Sequence, residues 1–265
     1  MKINLLLFIL IFFLSFNVNS DENRIIIAST TSTYDTGLLK EINSNYTNKF
    51  NIKIHVLALG TGQAIRTAED GNVEILIVHH KPSELKFMEE GFGLERHEIM
   101  YNDYIIVGPK NDSNGCKSIK KKFESIKKRK DVFISRGDDS GTHKKELEIW
   151  ESINFISSSF DDWYIINGQG MGKTLLMANE KKAYTISDRS TWISFNNKEN
   201  LKIICENFPP LFNQYSIILV SKKINEKLNI VEAKKYIDWI LSEDAKKLIN
   251  NFKVNDQQLF YYNYN

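Results

Sequence analysis

The chain has 265 residues, 42% of them hydrophobic and 26% charged, with 35 Lys and Arg against 33 Asp and Glu for a formal net charge of +2. These proportions exclude a wholly disordered chain, a collagen and a coiled coil, and the length suits one large domain or two smaller ones with a self-sufficient core. The near-neutral balance argues against a dedicated nucleic-acid binder but leaves open the capture of a small ion, which depends on local geometry.

Residues 1–20 (MKINLLLFILIFFLSFNVNS) carry Lys2, an apolar run of ten from Leu5 to Leu14, and the small residues Val18 and Ser20 ahead of Asp21 and Glu22. That is the pattern of a secretory signal peptide, and the run is shorter than the ~20 residues of a spanning helix. With no cysteine near residue 20 for a lipid anchor, a periplasmic location is expected. An exported chain permits a disulfide between Cys116 and Cys205, the only two cysteines. Two separate thiols fit the sequence equally well.

From there short β-branched runs alternate with helical stretches. Arg24–Ala28 reads as a strand, and Asp35–Phe50 as a helix with Leu38, Leu39, Ile42, Tyr46 and Phe50 on one face. A strand over Lys53–Leu59, a helix over Gln63–Glu69, a strand over Glu74–His79 and a helix from Pro82 to Glu90 follow. This alternation predicts a parallel α/β sheet. A strand at Tyr104–Val107 closes on Gly108-Pro109, a boundary signal. A second α/β stretch then has helices at Ile119–Arg129, Thr142–Ile153 and Lys173–Lys181, and strands at Val132–Ser135 and Ala183–Ser187. After Pro209-Pro210 come a strand at Tyr215–Val220, a long amphipathic helix over Ile230–Asn250, and a tail from Asp256 to Asn265 expected to be loosely ordered.

In such sheets ligands sit at strand C-terminal ends and helix N-termini. The first strand is followed by five hydroxyls, Ser29 to Thr33, where an ordinary N-cap needs one. Gly60-Thr61-Gly62 follows the second strand. Arg136-Gly137-Asp138-Asp139-Ser140-Gly141-Thr142-His143 follows Val132–Ser135 and opens into a helix. The arginine fork suits a tetrahedral oxyanion, either aspartate can orient it, and Ser140, Gly141 and Thr142 add hydroxyls and backbone N–H groups.

These strings, together with Met100–Tyr104, Val107–Pro109, Gly168–Gly172 and Asp188-Arg189, resemble the tungstate-specific substrate-binding proteins of ABC importers, in order from about Ile25 to about Phe252. The resemblance implies a type II periplasmic-binding-protein fold: two α/β lobes joined by two crossing strands, with the ligand in the cleft. Lobe one would be 21–107 plus 216–265, and lobe two 108–215. Thr30, Thr31, Ser32 and Thr61 would donate to the anion from lobe one, and Arg136, Ser140, Gly141 and Thr142 from lobe two. The implied protein is a monomer without cofactor, cation site or catalysis. It would hand tungstate or molybdate to a membrane permease and its ATPase. The chain departs from the family at Gly71-Asn72-Val73-Glu74 and at Ser29, where threonine is usual.

Other readings of the same residues are a phosphate binder of the same fold and an exported hydrolase using Ser140 with His143. Tungstate and molybdate offer only acceptors at neutral pH, whereas hydrogen phosphate benefits from a carboxylate that accepts its proton. His79 and His80, with no aspartate, end the third strand. Asn167–Thr174 resembles a nucleotide P-loop, but Asn167 stands where that loop needs glycine. Asp188 and Arg189 read as an ion pair with each other or as groups that orient the cleft. The eight basic residues within Lys117–Lys130 read as a solvated helix face with Ile119, Phe123 and Ile126 inward.

Overall fold

A computed structural model describes residues 24–156 and 162–264. The segment read as a signal peptide lies outside them. One long strand, β4 (Gly93–Pro109), organises everything else. Its first part, Gly93–Asp103, pairs antiparallel with β9 (Phe212–Val220). Its last part, Tyr104–Pro109, pairs with β7 (Thr185–Asp188) and β8 (Leu201–Cys205). On the first side the sheet continues from β9 through β3 (Ile75–Val78) and β1 (Arg24–Thr30) to β2 (Lys53–Leu59), with β1 parallel to both neighbours. On the second side β5 (Phe133–Ser135) pairs parallel with β6 (Tyr164–Ile166) and meets β7 through a bridge at Phe133 and Tyr184.

Helices cover both faces of the first sheet. The hydroxyl run begins a short helix, α1 (Thr31–Asp35). Gly37, at φ +87°, then turns the chain into α2 (Leu38–Phe50), a bend that glycine makes without steric cost. The predicted single helix over 35–50 is therefore two elements. Ile25, Ile27, Leu38 and Ile42 form a core with α9 (Ile230–Ile240) and α10 (Glu243–Asn251). The opposite face packs Ala64, Leu76, Phe87 and Ile218 under α3 (Thr61–Glu69) and α4 (Lys81–Glu89). In the second half, Phe123, Phe133, Trp150 and Tyr164 gather between α5 (Ile119–Arg129) and α6 (Gly141–Glu151). Ile134, Met171, Leu175 and Trp192 form a further cluster with α7 (Met171–Lys181) and α8 (Arg189–Ser194).

The long helix predicted over 230–250 is broken at Leu241-Ser242, where the Ser242 hydroxyl donates to the Trp239 carbonyl at 2.6 Å and the chain restarts as α10. Residues 256–264 of the tail are ordered. Their strand β10 (Tyr261–Tyr262) adds to the edge of β4, and Leu259 and Phe260 are buried. Cys116 and Cys205 are joined, which ties the segment ahead of α5 to β8. The polar first part of β4 and all of β8 went unpredicted. Glu95, Arg96 and Glu98 break the apolar pattern of β4, yet the buried Glu84 carboxylate takes Arg96 at 2.8 Å, so the strand carries Arg96 inward as an ion pair.

Candidate functional site

The two halves turn the C-terminal ends of their strands toward each other. On one side β1, β2 and β3 run into Ser29–Thr33, Gly60–Gly62 and His79-His80, with Ser29 beside Ala58 and Ile77 in register. On the other, β5, β6 and β7 run into Arg136–Ser140, Asn167–Gly170 and Asp188. Along one flank the halves touch: Arg66 lies 3.9 Å from Asp139, and the His80 ring 3.3 Å from Glu148. Gly62 and Gly141 permit this approach. A Cβ on Gly62 would fall 2.0 Å from the Asp139 carboxylate, and one on Gly141 2.3 Å from the His79 ring. Along the other flank a cleft of about 640 Å³ is walled by Thr31, Ser32, Asp35, Arg136, Gly170 and Lys173, with Ser190 and Thr191.

Arg136 is only 6% exposed. Its Nε donates to Asp138 Oδ2 at 2.7 Å, and Asp138 Oδ1 accepts the Ser140 N–H at 3.2 Å, so one carboxylate sets both the guanidinium and the start of α6. Ser140 caps that helix, accepting the His143 backbone N–H at 3.2 Å. Its own O–H remains available to donate. Gly141 and Thr142, buried in the first turn, carry N–H groups that have no partner within the helix. Thr30 caps α1, and its hydroxyl lies 2.6 Å from Thr33 Oγ1 and 3.3 Å from Ser32 Oγ. Thr61 starts α3 and is fully buried, and its hydroxyl has no hydrogen-bond partner.

The structure thus places Thr31, Ser32 and Arg136 in the cleft wall, Thr30 just behind it, and Thr61, Ser140, Gly141 and Thr142 at the helix starts of the touching flank. Ser29, outside the predicted set, is also fully buried with an unpartnered hydroxyl. Its signal was present in the hydroxyl run. The α7 loop contributes Gly170 and Lys173, and α8 contributes Ser190. Gly170 and Lys173 lie in the P-loop-like string, Gly170 also in the family resemblance, whereas Ser190 carried no anion signature of its own.

His79 is buried. Its Nδ1 lies 2.9 Å from the Tyr104 hydroxyl, its ring centroid 4.7 Å from that of Tyr215, and its Nε2 has no partner. Burial pushes its pKa down to about 4, so the ring is neutral near pH 7. Asp35 stands exposed at the cleft mouth. Partial burial and the charge of Asp188 raise its carboxyl, with Arg136 opposing.

Three other expectations meet the structure here. Asp188 and Arg189 do not pair with each other. Asp188 caps α8, accepting from Ser190 and Thr191, while Arg189 grips Asp103 at 2.6 Å and Glu206 at 2.8 Å. The Thr174 hydroxyl of the P-loop-like string turns back onto the Gln169 and Gly170 carbonyls, where a nucleotide-binding loop would aim it outward. In the Ser140/His143 pair, the serine hydroxyl accepts from the His143 backbone, while the His143 ring accepts the Asp139 N–H at 3.1 Å. Among the described residues no group of His, Cys, Asp or Glu is placed to hold a metal ion.

Behind the cleft, α6 is anchored by Glu146, fully buried, whose Oε1 accepts the Tyr164 hydroxyl at 2.5 Å. Burial pushes this carboxyl up to about 7 from 4.5, against the pull of its hydrogen bonds. The folded protein therefore keeps a proton that the unfolded chain has released. Stability should fall as pH rises from about 4.5 to about 7, by ~3 kcal/mol from this group at ~1.4 kcal/mol per pH unit. Denaturant melts across that range should show the decline in the native protein and a flatter profile for Glu146→Gln; parallel profiles would disprove the assignment.

A family profile described as PBP superfamily domain matches residues 17–244. The tungstate-binding protein TupA of Peptoclostridium acidaminophilum is 45% identical over 236 residues, covering 87% of this chain and 82% of that protein. The chain belongs to the PBP superfamily, among the relatives of tungstate-binding protein TupA. Two solved structures agree. The tungstate-binding protein TupA of Desulfovibrio alaskensis G20 superposes with a TM-score of 0.81 at 38% identity, over 91% of this chain and 99% of that one. The tungstate ABC transporter protein of Geobacter sulfurreducens superposes at 0.77 with 40% identity, over 87% of this chain and 99% of the other. The expected α/β binding-protein fold is therefore the observed one.

Proposed function

We propose that this protein captures tungstate, with molybdate as its close analogue, and delivers it to an ABC permease and ATPase without chemical change. Residues 1–20 would direct its export and then be removed. The lobes would divide as 21–107 plus 216–265 against 108–215. The observation that carries the reading is the donor set gathered between two strand ends: Arg136 in the wall, Thr31 and Ser32 opposite, and the Thr61 hydroxyl buried without a partner. Thr30, Ser140, Gly141 and Thr142 complete that shell, and Ser29 joins it. A dianion that only accepts is suited by hydroxyls, helix N-terminal N–H groups and one guanidinium, all pre-oriented. The choice of tungstate rests on what the relatives above are named for.

Asp35 favours a second reading. A carboxylate at the cleft is the acceptor that hydrogen phosphate would use. Titration calorimetry with tungstate, molybdate, sulfate and phosphate separates the two. Tungstate should bind at least ~4 kcal/mol more tightly than phosphate, about a thousandfold. Tight binding of phosphate alone would end the tungstate reading.

A further inference from the structure

The run of basic residues around α5 plays no part in the cleft. Ile119, Phe123 and Ile126 turn inward, as does Lys122, which is buried on Asp112 at 2.7 Å. Arg129 is tied to Asp131, and Lys127 lies over the Phe155 ring at 5.1 Å. Lys117, Lys120, Lys121, Lys128 and Lys130 are left exposed, and among the described residues none of them makes an ion pair. Glu124 is the one exposed acid within the helix. The lysines of α9 and α10 behave differently: Lys234, Lys235 and Lys246 are matched with Asp238, Glu232 and Glu243. In a chain of net charge +2, α5 and its two ends therefore carry a concentrated cationic face. Beside it Ile156, next in sequence to Phe155, is 89% exposed.

We propose that this face rests on a membrane surface bearing anionic phospholipid headgroups, with Ile156 as an apolar contact at its edge. The chemistry of the face favours lipid over an acidic protein. Its charges are lysine ammoniums, strongly hydrated points on flexible stems: Lys120, Lys121 and Lys128 on the helix, with Lys117 and Lys130 at its two ends. They offer no arginine fork to fit an ordered carboxylate array. A diffuse negative surface potential attracts such a cluster without needing geometry. An apolar side chain adds the second weak signal that makes peripheral attachment more than transient. The inference stands apart from the identity of the anion in the cleft.

The test is flotation of the exported, processed protein with phosphatidylcholine vesicles, with and without phosphatidylglycerol, at low salt and at about 1 M salt, where the screening length falls to ~3 Å. The native protein should favour phosphatidylglycerol vesicles at least ~100-fold at low salt and lose the preference at high salt. Changing the five lysines to glutamine should abolish that preference while leaving ligand affinity at the cleft unchanged. Ile156→Ser should weaken it severalfold. Changing Lys234, Lys235, Lys246 and Lys247 to glutamine removes a comparable charge elsewhere and should preserve it. Equal binding to both vesicle types, phosphatidylglycerol binding that survives the α5 substitutions, or capture by acidic proteins in place of vesicles would overturn the proposal.

Discussion

Gly141→Ala should leave the unliganded protein as stable as the native one and yet cripple its hold on tungstate. The added methyl would lie 2.3 Å from His79 Cε1, 2.8 Å from Nδ1 and 3.1 Å from Nε2. The ring has little room to retreat, being buried, set on the Tyr104 hydroxyl and packed against the tilted ring of Tyr215. Gly141 begins α6 on one half and His79 follows β3 on the other, so the clash falls on the contact between the halves and spares an unliganded protein whose halves stand apart. Alanine suits the first turn of a helix and keeps the backbone N–H, so neither the local fold nor the donor is lost. Overpacking of this kind costs about 1–3 kcal/mol, which predicts a Kd raised roughly 5- to 150-fold with an unchanged unliganded melting temperature. Calorimetric titration alongside thermal melts checks both halves of the expectation. Native affinity in the variant would mean that the closed contact of His79 with Gly141 is not the binding state.

Arg136→Ala should abolish the rise in melting temperature that tungstate produces. The guanidinium is the buried cation of the cleft wall, and Asp138 holds it by Nε, leaving its terminal nitrogens to face a ligand. Hydrogen bonds to charged groups are worth about 1.5–3 kcal/mol each, so losing two predicts a Kd raised by at least ~100-fold. Arg136→Lys keeps the charge without the fork and should recover only part of the loss. Asp138→Asn should lie between lysine and native, because it loosens the guanidinium and the start of α6 together. Thermal melts with and without tungstate rank the three variants. A full tungstate shift in Arg136→Ala would remove Arg136 from the site.

Much of this was legible because it is local. The alternation of β-branched runs with helical spacing follows from which face of each element must be buried, and the strings after β1 and β5 announce themselves by composition. What escaped depends on distant partners. The first part of β4 is a strand because β9 pairs with it and Glu84 neutralises Arg96. The described tail is ordered because β4 has an edge for β10 to join and the core accepts Leu259 and Phe260. Arg189 reaches Asp103, 86 residues away in sequence, over its own neighbour Asp188, whose oxygens are occupied by capping α8.

The sequence by itself determined the near-neutral charge, the α/β class and the two oxyanion-like strings, because each rests on residue type and short-range spacing. It marked the run of lysines beside Cys116, but not which of them stand outward without partners. Only the tertiary structure decided that Ser29 and Thr61 are buried with free hydroxyls, that Asp35 stands at the cleft mouth, and that Gly141 meets His79. Those outcomes depend on how two sheets, joined through β4, turn their strand ends toward one another. The chain's charge is close to balanced overall, and the fold decides where its positive groups are concentrated: one guanidinium inside the cleft, and a row of lysines on the face of α5.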